Sequence, residues 1–299
     1  MHIPVLLQST IGGLDIKVGE TAVDATLGLG GHAKEICTRL GKTGLLVGID
    51  QDSGALAKAK KNLADCPAWK ILKLGNFRDI TKILAEEKID QVDIVLFDFG
   101  FNSEQMDESG RGFSFQKDEP LLMTLSDQIT PETLTAEEIV NTWEEKSLTD
   151  IIYGYGEERQ SRQIAKAIVE ARSEKKIKTT FDLVEIIRSV TPLKDQKRKT
   201  HFATKTFQAL RITVNDELGA IKDGLAGAWE KLADGGRIGV ISFHSLEARL
   251  VKEFIKTKES EGVGKRLNKK VIKPSLEEIK ENPRSRSAQL RIFKKSLPC

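Results

Sequence analysis

Asp24-Ala25-Thr26-Leu27-Gly28-Leu29-Gly30-Gly31-His32 is the stretch on which the fold turns. It follows a short run, Val23-Asp24-Ala25, that reads as a strand, and it opens Gly31 to Leu40, which has helical character. Glycines between a strand and a helix let the chain turn sharply and let a ligand approach the backbone, where the helix start leaves N–H groups unpaired. Asp50 lies 20 residues beyond Gly30, at the end of the strand-like run Leu45 to Asp50. A carboxylate there can accept both hydroxyls of a ribose.

The alternation continues outward. Ser53 to Leu63 reads as a helix, Trp69 to Leu74 as a strand, Asp79 to Glu87 as a helix and Val92 to Asp98 as a strand. These strands are aliphatic runs with little alternation, as expected of a parallel sheet covered by helices on both faces. The pattern breaks after Asp98. Phe99 to Ser126 is loop-like, and Thr135 to Val190 reads as several helices, the first opened by a capping-box-like Thr135 and Glu138. Lys194 to His201 reads as a basic connector. Phe207 to Leu232 reads as one long amphipathic helical region stopped by Gly235-Gly236, followed by a fifth strand, Arg237 to Phe243, and a helix, Leu246 to Ile255. Lys269 to Ile272 and Ala288 to Lys294 are two candidate final strands. The expected fold is therefore α/β, a doubly wound (Rossmann-like) sheet with an inserted α-helical domain. Residues 1–106 and 212–299 form the sheet domain and residues 107–211 the helical insertion.

Composition sets the outer limits. Hydrophobic residues make up 39% and charged residues 30% of the 299, an ordinary globular balance. No apolar run reaches the ~18 residues of a membrane span, and Met1-His2-Ile3-Pro4 does not read as a signal peptide. A cytoplasmic location is expected. Cys37, Cys66 and Cys299 match neither a zinc site nor a disulfide framework, so free thiols and no metal are expected. Charge is uneven. Asp107 to Glu158 holds 13 acidic and 3 basic residues, a net of −10, whereas Arg188 to Cys299 holds 25 basic and 13 acidic, a net of +12. The basic C-terminal part suggests a polyanion-facing surface.

The glycine pattern alone admits two cofactors. Gly28-Leu29-Gly30-Gly31-His32-Ala33 fits a dinucleotide fingerprint, which would make the chain an NAD-dependent oxidoreductase. It also fits S-adenosylmethionine. Two features favour the latter: Asp24 stands ahead of the glycines, where methyltransferases balance the methionine amino group, and two adjacent strands close the chain. Asp98 ends the fourth strand, where open α/β sheets meet their ligands.

Longer motifs carry a resemblance. In order they are His2 to Leu7, Asp24-Ala25-Thr26, Gly30-Gly31-His32, Gly48-Ile49-Asp50-Gln51-Asp52, Asn76-Phe77, Gln105-Met106-Asp107, Arg111-Gly112-Phe113-Ser114-Phe115, Tyr155-Gly156-Glu157-Glu158, Thr206 to Ile212, Phe243-His244-Ser245-Leu246-Glu247 and Arg284 to Ala288. With these the sequence resembles the small-subunit ribosomal RNA (cytosine-N4)-methyltransferases, the RsmH/MraW family. The resemblance implies a class I methyltransferase sheet, S-adenosyl-L-methionine as cofactor, and methylation of the exocyclic amine of a cytidine in the decoding region of 16S rRNA. It implies cofactor contacts at Gly30, Gly31, His32, Asp50, Phe77, Asp98 and Gln105. Departures from the family pattern lie at Leu122, Thr124 and Ala248, where the family carries Asp, Arg and Asp. They support an alternative, a catalytically weakened RNA- or ribosome-binding paralogue.

Methyl transfer from a sulfonium is an in-line displacement that depends on positioning. Asp98, Asn102 and Ser103 are the expected catalytic acceptors that orient the amine. Phe101 and Phe113 are candidates to stack on an extruded base. Arg211, Arg284, Arg286 and Arg291 are candidates to hold phosphates. His244 and Ser245 are candidates to touch the substrate, although Ser245 also fits a helix N-cap. The expected partner is small-subunit rRNA or the 30S particle, and a homodimer is compatible with the sequence.

Overall fold

The structure, a computed structural model, describes residues 4–99, 109–198 and 200–296. The chain divides into two compact units, Met1–Gly100 with Leu218–Cys299, and Phe101–Glu217. In chain order the first unit supplies α1 (Leu7–Leu14), β1 (Thr21–Asp24), α2 (Gly31–Leu40), β2 (Leu45–Asp50), α3 (Ser53–Asn62), β3 (Trp69–Leu74), a 3₁₀ turn (Phe77–Asp79), α4 (Ile80–Glu86) and β4 (Val92–Asp98). The second unit supplies α5 (Ala136–Thr142), α6 (Glu145–Gly154), α7 (Ser161–Glu174), α8 (Thr180–Val190), α9 (Leu193–Gln196) and α10 (Thr204–Asn215). The chain continues with α11 (Glu217–Lys231), β5 (Leu232–Ser242), α12 (Ser245–Ser260), β6 (Gly264–Arg266), α13 (Leu276–Glu281), a second 3₁₀ turn (Pro283–Ser287) and β7 (Gln289–Lys295).

The seven strands lie in the order β3-β2-β1-β4-β5-β7-β6. The first five are parallel, and β7 runs antiparallel to both β5 and β6. Successive residues face opposite ways. Val47, Val95 and Phe97 enter a core with Ile80, Leu225 and Val251, while Leu46, Ile94 and Leu96 enter another with Ile36 and Leu40. Burial on both faces is why these strands read as unbroken apolar runs. Strand order reverses direction between β1 and β4, and at such a switch point the loops leaving the carboxyl ends diverge and open a crevice. Asp24, Asp50 and Asp98 are the last residues of β1, β2 and β4.

Four expectations need correction. The expected helix from Phe207 to Leu232 is two helices, because Asp216 takes a left-handed φ of 44°. Gly235 does not stop a helix; it sits inside β5 at φ 76°, where the pairing with β4 skips from Leu232 to Arg237. That extra length bends the strand as a bulge does. The sixth strand is Gly264–Arg266 and not Lys269 to Ile272. Asn268 Oδ1 accepts the Ile292 N–H at 2.7 Å, a donor a longer ladder would have used, and leaves Ile272 a single bridge to Leu290. Finally, the sulfurs of Cys37 and Cys66 are in bonding contact, with their Cα atoms 6.0 Å apart, because both side chains join the core under α2 and α3. Cys299 lies outside the described residues.

The second unit has its own core, in which Leu148, Ile152, Ile164, Ile168, Leu183 and Leu210 are buried. Thr135 caps α5 by accepting the Glu138 N–H at 3.1 Å. Thr179 and Asp182 form a reciprocal capping box on α8. No helix among the described residues is long and apolar enough to cross a membrane.

Candidate active site

Beyond β1 the chain lies across the carboxyl ends of its neighbours. The Ala25 N–H donates to the Leu96 carbonyl and the Leu27 N–H to the Ile49 carbonyl, both at 2.9 Å. Gly28 and Gly30 then take φ values of 53° and 81°, which an L side chain adopts only with strain. A Cβ at Gly28 would meet nothing nearer than the Thr26 carbonyl at 4.0 Å, so the backbone there is bare toward a ligand. Asp50 holds this loop from below. Its Oδ2 accepts the Gly28 N–H at 2.7 Å and its Oδ1 the Asp52 N–H at 2.9 Å. A carboxylate has about four acceptor positions, so both oxygens keep capacity for a ribose.

Asp98 is set on the other side of the loop. Its N–H donates to Thr26 Oγ1 at 2.6 Å, and its Oδ2 lies 3.6 Å from His32 Nδ1. The Val5 carbonyl can only accept, so His32 Nε2, 3.0 Å away, donates to it. Asp24 is 1% exposed and accepts the Thr26 N–H at 3.3 Å. Burial pushes its carboxyl up to about 7, with the charges of Asp98 and Asp50 adding to the effect. Burial also raises Asp50, against the pull of the Asp52 and Gly28 N–H groups.

Three carboxylates thus crowd one crevice, and the arrangement suits a nucleoside with a positive tail. Ribose hydroxyls match Asp50, and an ammonium or sulfonium relieves the repulsion around Asp24 and Asp98. A pyrophosphate at the same loop would add negative charge beside those carboxylates, which weighs against the dinucleotide.

At the far side of the crevice, Asn76 orders the 3₁₀ turn. Its Oδ1 accepts the Arg78 N–H at 3.0 Å, and its Nδ2 donates to Oε1 of Gln51, next to Asp50, at 3.1 Å. Phe77 is half-buried, with its ring centroid 5.6 Å from that of Phe97 and 5.8 Å from that of Phe99. Gly224 of α11 makes room for it, since a Cβ there would fall 2.6 Å from Phe77 Cδ2. Gly224→Ala is therefore expected to displace the ring and weaken cofactor binding about tenfold, the equivalent of ~1–2 kcal/mol of overpacking strain. Titration calorimetry checks this, with thermal unfolding remaining cooperative.

The sequence profile described as the MraW methylase family matches residues 1–296. The chain belongs to this family. Similar relatives are the proteins named ribosomal RNA small subunit methyltransferase H of Dictyoglomus thermophilum, 45% identical over 98% of this chain and 96% of that one, and of Carboxydothermus hydrogenoformans, 46% identical over 98% and 97%. The protein of that name in Streptococcus mutans is 43% identical over 98% and 97%. As a member of the MraW methylase family, the chain is an S-adenosylmethionine-dependent methyltransferase.

The cofactor's positive charge and Asp24 together give a pH signature. An acid with a raised native pKa stabilises the fold fully below its unfolded value, 3.8, and loses that contribution as pH rises through about 7. The ligand-free protein is thus expected to lose stability on the order of 4 kcal/mol from this group across that interval. Cofactor affinity rises over the same interval, because a cation favours ionised Asp24. S-adenosylhomocysteine, which keeps the ammonium, should raise the Tm more at pH 8 than at pH 6, and Asp24→Asn should abolish the difference.

Of the remaining expected site residues, Phe101, Asn102, Ser103 and Gln105 lie outside the described residues. Two stand elsewhere than expected. Phe113 is 6% exposed in the core of the second unit, with the Arg111 guanidinium 5.7 Å from its ring centroid, so it does not offer a face to a base. Arg211 is committed to a two-pronged ion pair with Glu217, at 2.7 and 3.0 Å, in place of a phosphate. His244, and not Ser245, is the N-cap of α12. Its Nδ1 accepts the Glu247 N–H at 3.4 Å, while Glu247 Oε2 accepts the Phe243 and His244 N–H groups at 2.7 and 3.2 Å. Arg284 and Arg286 are exposed on the second 3₁₀ turn. Thr124 is buried, and its hydroxyl has no hydrogen-bond partner among the described residues. Thr26, Gln51 and Gly224 were not foreseen as site residues. Gly224 had a signal, a glycine within a helical pattern, which marks close approach.

Proposed function

We propose that this methyltransferase acts on N4 of a cytidine in the decoding region of small-subunit (16S) rRNA. The observation that carries the reading is the carboxylate-ringed glycine loop at the sheet's switch point, in a chain matched by the family profile from residue 1 to residue 296. Small-subunit rRNA, free or within the 30S particle, is the proposed partner, and the cytoplasm the proposed location. Sedimentation of the purified chain distinguishes a monomer from a homodimer.

Bound S-adenosylmethionine supplies an electrophilic methyl group on a sulfonium. The chain holds and orients it. Asp50 would hold the ribose, Asp24 would balance the ammonium, and Phe77 would lie against the adenine; at the methionine end the backbone on offer would be that of Gly31, because the Gly30 N–H and carbonyl are already bonded to Leu27 and Lys34. His32, its Nε2 bonded to the Val5 carbonyl, stands beside Asp98. The exocyclic amine of cytosine is a weak nucleophile because its lone pair is delocalised into the ring. Asp98, with Asn102 or Ser103, accepts hydrogen bonds from the amine protons, which localises that pair and aligns it with the methyl group. Extruding the base from its stack costs a few kcal/mol, less where it is already unpaired.

The test is incubation with methyl-labelled S-adenosylmethionine and small-subunit particles lacking the modification, followed by nucleoside analysis. N4-methylcytidine from the decoding region is expected.

A further inference from the structure

Away from the crevice, α12, β6, β7 and the turn after β6 enclose a cavity of about 160 Å³. Lys252, Arg266, Lys269 and Arg291 line it, with Asn268, and no acidic residue does so among the described residues. Lys252, Arg266 and Lys269 are exposed at its rim, whereas Arg291 is not. Arg291 is half-buried in β7, and burial together with the neighbouring Arg266 charge holds its guanidinium below the usual arginine range. Its Nη1 donates to the neutral Gln289 Oε1 at 3.4 Å. Glu259, on α12, is already engaged: Arg266 Nε donates to its Oε1 at 2.7 Å and Arg266 Nη2 to its Oε2. That pair fastens β6 to α12 and leaves the other three cations facing the cavity without a lining carboxylate. The turn is rigid as well, since Asn268 bonds the Ile292 N–H and the Lys270 carbonyl.

Like charges gathered around a partly buried cavity repel one another, and an anion seated among them removes the cost. The volume suits a single phosphate group. The site also lies near the methyl-transfer edge. Arg291 is one residue along β7 from Leu290, which pairs with Ile241, which pairs with Asp98. Two strand spacings separate β7 from β4, roughly 10 Å. A chain of phosphodiesters running to a base at Asp98 passes within reach.

We propose that this cavity binds a backbone phosphate of the RNA substrate, with Arg291 as its principal contact and Lys252 and Lys269 at its mouth. The proposal rests on the reading of the chain as an RNA methyltransferase and adds a phosphate subsite to it.

The test uses the full chain and a labelled single-stranded RNA of decoding-region sequence, with binding measured by fluorescence anisotropy over a series of KCl concentrations. Arg291→Gln should bind about tenfold more weakly at low salt, as expected for losing a charge-assisted contact. The slope of log affinity against log salt should fall by about one. Lys252→Gln with Lys269→Gln should flatten the slope further. The thermal stabilisation by S-adenosylhomocysteine should be unchanged in each variant, which shows that the sheet is intact. Unchanged affinity and slope in all variants, with the wild type binding tightly, would overturn the subsite alone. Failure of the wild type to bind either the RNA or small-subunit particles even at low salt would overturn the subsite and the RNA-methyltransferase reading together. If inorganic phosphate stabilises the wild type but not Arg291→Gln while RNA affinity is equal in both, the cavity holds a free anion and the RNA assignment falls.

Discussion

Asp98→Ala is expected to lower methyl transfer to rRNA by about 10²–10³-fold while cofactor binding stays measurable. Asp98 ends β4, and its backbone is held by Thr26 Oγ1 at 2.6 Å and by its strand pairing with β5, so removing the carboxylate leaves the crevice in place. The loss falls on the amine, which no longer has a charged acceptor to localise its lone pair. The effect should appear in kcat under single-turnover conditions with saturating S-adenosylmethionine. Asp98→Asn keeps an acceptor oxygen without the charge and should lie between wild type and alanine. Full turnover in Asp98→Ala would move the acceptor role to the Asn102–Ser103 segment.

Asp50→Ala is the counterpart on the binding side. Its carboxylate is asked to do two things, to hold the Gly28 and Asp52 N–H groups and to accept the ribose hydroxyls. Hydrogen bonds to a charged acceptor contribute ~1.5–3 kcal/mol each, so losing those to the ribose weakens binding on the order of 10²–10³-fold. The left-handed Gly28 loop also loses its anchor, so the Tm of the ligand-free protein should fall. Asp50→Asn separates the two functions, because an amide oxygen can still accept one N–H but cannot serve both loop and ribose. Calorimetric titration with S-adenosylhomocysteine measures the first effect, and thermal unfolding the second.

Strands β1, β2 and β4 were legible because burial on both faces leaves the sequence no polar alternation to confuse the period, as at Val92–Asp98. The loop from Asp24 to His32 was legible because glycine takes a left-handed turn without strain and leaves the backbone bare toward a ligand. Other features depend on tertiary contacts that no local pattern records. The periodicity from Phe207 onward runs through Asp216 unbroken, yet that residue turns left-handed and splits the helix. Arg211 looks like a phosphate ligand until Glu217 is seen to occupy it. Phe113 sits in a loop-like segment but packs into a helical core. The closing strand Gly264–Arg266 is short and charged, and it is held by the Arg266–Glu259 pair more than by β propensity.

Titration of the purified chain with S-adenosylhomocysteine and, separately, with NAD probes the crevice itself. Binding of the thioether nucleoside at one site, tighter at pH 8 than at pH 6 and weakened on the order of 10²–10³-fold in Asp50→Ala, is the predicted result. Binding of NAD in its place, or no binding of S-adenosylhomocysteine at either pH, would contradict the assignment.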